Sequence, residues 1–310
     1  MESLTSVLQT APAESVRDAV AAGAKLLRDA GIDSARLDAE VLLRHVLEVE
    51  KAEFYLGFDM GLDETAEREF HKLLSRRAGR EPVAYITGHK EFWSLDFVVT
   101  PAALIPRPET ELLVELAFKL STPRSGTSPR KILDLGTGSG AIAVSLAKEL
   151  PQARIGAVDI SAGAIEVARL NARRHGIEDR VEFFCGDLFE AVADEREGFD
   201  LIVANPPYIR CGDLAGLAPE IRQWEPIMAL NGGADGLLYY RRIVAEAGDY
   251  LKGGGSILIE LGDAMGDAVA RLFAAAGGFE TAQVYRDYAG KERVIAAAKI
   301  SAAGKGSDRG

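Results

Sequence analysis

Apolar residues recur at helical spacing through the first part of the chain. Val16, Val20, Leu26 and Leu27 mark one helix, which Gly31 stops. Asp33 is placed to cap a second, whose apolar stripe is Leu37, Val41 and the Leu43 to Leu47 region. Lys51 to Leu56 predicts a short third helix. Asp63 opens a charged amphipathic fourth through Arg77, with Phe70, Leu73 and Leu74 turned inward. Pro82 ends this pattern, so residues 1–82 predict a small helical bundle.

The pattern then changes. Residues 91–100 (EFWSLDFVVT) are β-rich and predict a strand pair. Leu104 to Thr110 (LIPRPET) is a stiff connector into a helix over Glu111 to Leu120; residues 83–110 therefore read as hairpin and linker. Ser121 to Arg130 predicts a polar surface loop. From Lys131, strands and helices alternate as in an open α/β sheet. Strands are expected at Ile132 to Leu135, Ala153 to Ile160, Val181 to Cys185, Leu201 to Ala204 and Ser256 to Leu261, with helices at Ala141 to Leu150 and Ala164 to His175. Gly253-Gly254-Gly255 reads as a turn ahead of the fifth strand. Thr281 to Tyr285 and Arg293 to Lys299 close the sheet; the stretch between them is too short for a parallel crossover, so that pair is expected to be antiparallel. Residues 301–310 are small and polar, as in a disordered tail.

Composition narrows the function classes. The chain has 310 residues, 47% hydrophobic and 27% charged, enough for a full core. Its formal charge of -11, with no basic excess in either part, argues against direct nucleic-acid binding. Cys185 and Cys211 make no disulfide framework, and His45, His71, His89 and His175 have no metal-ligand spacing, so no metal is expected. With neither a signal segment nor a membrane-length apolar run, the expected location is cytoplasmic.

Two stretches carry chemistry. Asn205-Pro206-Pro207-Tyr208 follows the buried strand FDLIVA. Two prolines remove backbone donors and fix φ, and the Asn oxygen adds a further acceptor beside an aromatic ring, which suits a planar NH2 group. Asp134-Leu135-Gly136-Thr137-Gly138-Ser139-Gly140 follows the first sheet strand. Its glycines allow a tight turn and close ligand approach, with free amides at the start of the next helix. Gly136, Gly138 and Ala141 also satisfy a relaxed dinucleotide fingerprint, and Asp159 would bind a ribose in either reading. Gly140, Asp134 and Gly186-Asp187 shift the balance away from a nicotinamide dehydrogenase. Asp187 could take an adenine amine or cap the following helix, and Arg107 could face a ligand or lie in a plain linker.

In order, DLGTGSG, AVDIS, the GD after the third strand and FDLIVANPPYI resemble a class I S-adenosylmethionine-dependent methyltransferase. Together with EPVAYITGHKEFWSLDFVVTPAALIPRPETELLVE, QWEPIMALNGGADGLLYYRRI and DYAGKERVI, they resemble the peptide chain release factor glutamine methyltransferase family (PrmC/HemK), as far as about Ile300. The resemblance implies a Rossmann-like seven-stranded sheet with its last strand antiparallel, in a catalytic domain over 111–300. The helical front domain, on that resemblance, helps to bind the release factor. It implies N5-methylation of the glutamine amide in the Gly-Gly-Gln loop of release factors, yielding S-adenosylhomocysteine. Asn205, Pro206, Pro207 and Tyr208 would hold the substrate, with Arg107 beside them. Asp134, Gly136, Thr137, Gly138, Ser139, Gly140, Asp159, Ile160, Asp187, Leu188 and Asn205 would line the cofactor. Some relatives carry an aromatic residue where this chain has Leu188, so the adenine contact there would be apolar packing.

The chemistry agrees with the residues. A carboxamide nitrogen is a weak nucleophile and a sulfonium methyl is already activated, so the enzyme must orient and polarise rather than ionise. A ribosomal-protein glutamine, or adenine N6 in DNA, presents a similar NH2. The charge weighs against DNA, and Pro108-Glu109-Thr110 resembles the release-factor branch better.

Overall fold

The computed structural model describes residues 15–121 and 130–301; residues 122–129 of the expected loop and 302–310 of the expected tail lie outside the described residues. Two compact units are present. One takes the described residues up to Gly88 together with Pro219–Trp224, and the other takes His89–Ala218 and the chain from Glu225 onward.

The first unit is built on α1 (Val16–Asp29), α2 (Ala35–Leu47), α3 (Lys51–Leu56), α4 (Glu64–Ala78) and α5 (Val83–Thr87). Ser15 caps α1, and Asp63 caps α4 by accepting from Thr65 and Ala66 amides at 2.9 Å. Leu27, Leu42, Leu43, Phe70 and Leu74 form the core, each 1% exposed or less. The stripe of α2 differs from its expected register. Leu37 is 62% exposed, and the inward face is Ala35, Ala39, Leu42 and Leu43. Asp38 instead turns in to accept from Arg77 Nε at 2.7 Å, a buried pair whose partner is remote in sequence. Asp33 does not cap α2; Ser34 holds that position without a side-chain bond. Helical character also continues past Pro82, which begins the single turn of α5 by accepting from the Ile86 amide. A proline at a helix start loses no bond, since that amide would have no partner anyway.

The second unit begins with the hairpin β1 (His89–Phe92) and β2 (Leu95–Val98), followed by α6 (Glu111–Ser121). Then come β3 (Lys131–Leu135), α7 (Ala141–Glu149), β4 (Arg154–Asp159), α8 (Ala162–Arg174), β5 (Val181–Cys185) and β6 (Phe199–Ala204). After α9 (Pro219–Trp224), which belongs with the helical unit, the chain continues through α10 (Leu238–Tyr250), β7 (Leu251–Glu260), α11 (Gly266–Ala276), β8 (Gln283–Arg286) and β9 (Glu292–Ala298). The seven-stranded sheet has the order β5-β4-β3-β6-β7-β9-β8, with β9 antiparallel to both neighbours. Leu133, Ile202, Val203, Ile257, Leu258 and Ile259 are fully buried in it. The triple glycine lies inside β7: pairing with β6 jumps from Phe199↔Leu251 to Leu201↔Ser256. Among the described residues no helix is long and apolar enough to cross a membrane.

Strand order reverses between β3 and β6, the crevice at which open α/β sheets bind ligands. The register sets what meets there. Leu135 pairs with Ala204 and Ala204 with Ile259, so Gly136, Asn205 and Glu260 follow side by side at the carboxyl edge. Asp159 pairs with Cys185, which brings Asp187 to the same edge.

Candidate active site

The glycine turn is fastened from both sides. Gly136 and Thr137 amides donate to the Val158 carbonyl at 2.8 and 2.9 Å, and the Gly138 amide donates to Asp159 Oδ2 at 2.8 Å. The other Asp159 oxygen accepts from the Ser161 amide at 2.9 Å. Burial raises the Asp159 carboxyl above its ordinary value, and these two amides oppose the shift. Each oxygen retains acceptor capacity, since a carboxylate oxygen can take two bonds. Gly138 has φ +57, and a Cβ there would meet nothing within 4 Å. The left-handed turn thus borders open space. Asp134 is fully buried; burial pushes its carboxyl up to about 7, while the Thr137 hydroxyl donates to it at 2.7 Å. Ser139 is buried, and its carbonyl accepts from Asn171 Nδ2 at 2.9 Å; Gly140 packs against Ala168.

At the neighbouring strand ends, Ile160 is 56% exposed and Leu188 is half-buried with φ +48. Asp187 makes no side-chain cap to the helical turn after it. Its Oδ2 accepts from Arg242 Nη2 of α10 at 2.9 Å, a partially exposed pair.

Asn205 lies beside the glycine turn: a Cβ on Gly136 would be 3.9 Å from its carbonyl oxygen. Its side-chain Nδ2 donates to the Thr110 hydroxyl at 3.1 Å. An amide whose NH2 end is engaged presents its carbonyl end elsewhere. Tyr208 is half-buried, and burial pushes its phenol up to about 12. The chain after Tyr208 is held by the 230–233 loop: Ile209 donates to the Leu230 carbonyl at 3.0 Å and Gly232 donates to the Ile209 carbonyl at 2.7 Å. Gly236, φ +79, permits this closure, because its Cβ would fall 2.5 Å from the Tyr208 carbonyl oxygen.

Arg107 donates to Glu225, whose other oxygen accepts from the Ile105 amide at 3.3 Å. Glu225 is buried and Arg107 partly exposed, and Arg107 lies close enough to Tyr208 to draw its phenol down. The connector is therefore pinned at its arginine rather than being a free linker.

Sequence reasoning missed Thr110, Glu225, Arg242 and Glu260. Glu260 is 2% exposed, and burial pushes its carboxyl up to about 7 against the pull of Thr110, Arg293 and Asn205. A lone carboxylate ending the apolar run SILI was the available signal. Among the described residues no three His, Cys, Asp or Glu side chains gather as a metal site would require. A cavity of about 310 Å³ lies at the opposite ends of β3 to β5. Its cations are already engaged, Lys131 with Glu195, Arg154 with the Asp179 carbonyl and Arg180 with the Ala147 and Leu150 carbonyls. The carboxyl edge is thus the better candidate.

The family model of the PrmC N-terminal domain matches residues 18–88, and that of the methyltransferase small domain matches residues 110–216. A release factor glutamine methyltransferase of Geobacter sulfurreducens is 45% identical, over 87% of this chain and 91% of the relative. One of Moorella thermoacetica is 41% identical, over 91% of this chain and 98% of the relative. A methyltransferase structure from Pyrococcus furiosus superposes with a TM-score of 0.50 at 19% identity, covering 73% of this chain and 99% of that one, a likeness of fold. With such identity across nearly the whole length of these relatives, the chain belongs to the release factor glutamine methyltransferase family.

Proposed function

We propose that this protein transfers a methyl group from S-adenosylmethionine to the side-chain amide nitrogen of the glutamine in the Gly-Gly-Gln loop of peptide chain release factors, in the cytoplasm. The observation that carries the reading is the oriented acceptor at Asn205. Its NH2 is held by Thr110, which makes its carbonyl oxygen the end to accept a substrate N–H, and the register sets it beside Gly136 of the glycine turn.

The residues fit the cofactor. Gly138 borders open space, Asp159 has acceptors left for ribose hydroxyls, and Asp187 keeps acceptor capacity for an adenine amine beside its Arg242 contact. Ile160 and Leu188 would pack on the base. Asp134, Thr137, Ser139 and the backbone from Gly136 to Gly140 would form the floor.

S-adenosylmethionine supplies an electrophilic methyl: the amide nitrogen lone pair forms the N–C bond, the C–S bond breaks with its electrons kept by sulfur, and one nitrogen proton is released to water. Asn205 Oδ1 and the Pro206 carbonyl accept the two N–H groups and so aim the lone pair. As positive charge develops on nitrogen, both acceptors bind it more strongly than in the ground state. Pro207 stiffens the turn. Tyr208 packs on the flat amide, and Arg107 contacts the substrate with guanidinium donors not used by Glu225.

The test is methyl transfer from labelled S-adenosylmethionine to a purified release factor and to its loop Gln-to-Ala variant. Label on the first alone is expected. Label on both would reject the glutamine, and label on a ribosomal protein instead would move the substrate.

A further inference from the structure

We propose that Glu260 is a positioning residue for this methyl transfer, which with Thr110 fixes the Asn205 amide so that its oxygen, not its NH2, faces the substrate nitrogen. The inference rests on the proposed reaction but concerns a residue that makes no contact with substrate in it.

A side-chain amide has an acceptor end and a donor end of the same shape. Turned the wrong way, Asn205 would present NH2 to an incoming NH2 and repel it. Something must therefore choose the end. Asn205 Nδ2 donates to Thr110 Oγ1 at 3.1 Å, which requires the hydroxyl to act as acceptor there. A hydroxyl has one proton, and the Thr110 hydroxyl lies close enough to Glu260 to draw its carboxyl down. An ionised carboxylate only accepts, so it takes that proton and leaves the hydroxyl lone pairs to Asn205. Strand register sets Asn205 beside Glu260, and it draws that carboxyl down as Thr110 does. The direction of the bond between Asn205 and Thr110 then follows from the charge on Glu260.

Water cannot easily substitute. Thr110 is 4% exposed and Glu260 2% exposed, so both are shielded from bulk solvent. Backbone holds the carboxylate in place: Ile259 pairs with Ala204, and the Tyr240 hydroxyl donates to the Glu260 carbonyl at 2.9 Å. The charged and titratable groups around it are Arg293 from β9, Glu109 ahead of α6, Tyr208 after β6 and Tyr240 from α10. Arg293 favours the ionised form and Glu109 opposes it. With burial raising the carboxyl to about 7, protonation below that pH would give Glu260 a proton of its own and remove the direction.

The test compares Glu260→Gln, Thr110→Val and Thr110→Ser with wild type, reading kcat, KM for the release factor, and cofactor Kd by calorimetry. Glutamine has nearly the same shape but can donate to Thr110, so the hydroxyl is free to turn. Glu260→Gln is expected to lower kcat on the order of 100-fold, the cost of a misoriented group, with KM and Kd little changed. Thr110→Val should fall at least about tenfold further than Thr110→Ser, which keeps the hydroxyl. Wild-type kcat should decline below about pH 7 while that of Glu260→Gln stays level. A readout without catalysis is the side-chain NH2 of Asn205 by NMR, assigned through its loss in Asn205→Ala. It should titrate near pH 7 in wild type and not in Glu260→Gln. Unchanged kcat in Glu260→Gln, equal loss in the two Thr110 variants, or an Asn205 signal indifferent to pH would each overturn the proposal. A wild type that shows the titration but does not methylate release factors would reject the substrate and leave the positioning role standing.

Discussion

Asp159 accepts a hydrogen bond from the Gly138 amide at 2.8 Å, so the carboxylate expected at the ribose also fastens the turn beneath the cofactor. Removing it loses both functions together. Asp159→Ala should raise the cofactor Kd about 10- to 100-fold, as expected for one charge-assisted bond. The melting temperature should change little, because the lost bonds are offset by relief of a buried charge. Calorimetric titration with S-adenosylhomocysteine checks this, and a Kd within twofold of wild type would contradict it.

Two glycines separate the cofactor floor from the substrate clamp. At Gly138 an added Cβ meets no protein atom, so Gly138→Ala should cost only the left-handed strain, about 1–2 kcal/mol, while its methyl blocks the cofactor. At Gly236 the Cβ would strike the Tyr208 carbonyl oxygen as well. Gly236→Ala should therefore shift the clamp and lower kcat, with cofactor Kd kept. Paired Kd and kcat measurements on both variants test the separation; the same profile in both would refute it.

Asn205→Ala removes the proposed acceptor and leaves Thr110 with one donor fewer. If the acceptor acts mainly in the transition state, kcat should drop about 100-fold or more with KM for the release factor nearly unchanged. Near-normal turnover in a folded variant would remove Asn205 from the mechanism.

What the sequence made legible was local. The glycine turn, Asp159, the Asn205 to Tyr208 turn and the alternating strands each announce themselves within a few neighbouring residues. Leu37 misled because helical spacing alone does not choose between neighbouring faces: α2 buries Leu43 but turns Asp38 in to Arg77 and leaves Leu37 out. The three glycines read as a turn ahead of the strand, but an irregular stretch is tolerated inside β7 because strand pairing resumes at Ser256. Glu260 was illegible as a site residue for a different reason. Its nearness to Asn205 comes from pairing of β6 with β7, and to Thr110 from a connector remote in the chain.

Asp134 carries a pH-dependent cost that an isosteric change should remove. Its carboxyl stands at about 7 in the folded chain against 3.8 as an ordinary value, because burial disfavours the ionised form. The folded state therefore holds the proton more tightly than the unfolded state. The stabilising contribution is fully present below about pH 3.8 and is lost as the pH rises to about 7. Asp134→Asn keeps an acceptor for the Thr137 hydroxyl and never ionises. At pH 8 it should be more stable than wild type, by up to about 4 kcal/mol for a shift of this size. The advantage should shrink steadily as the pH is lowered toward 5. Denaturant titrations of both proteins from pH 5 to 8 give the comparison. A difference that stays constant with pH would mean that Asp134 is ionised throughout, held by charges other than those around it in this structure.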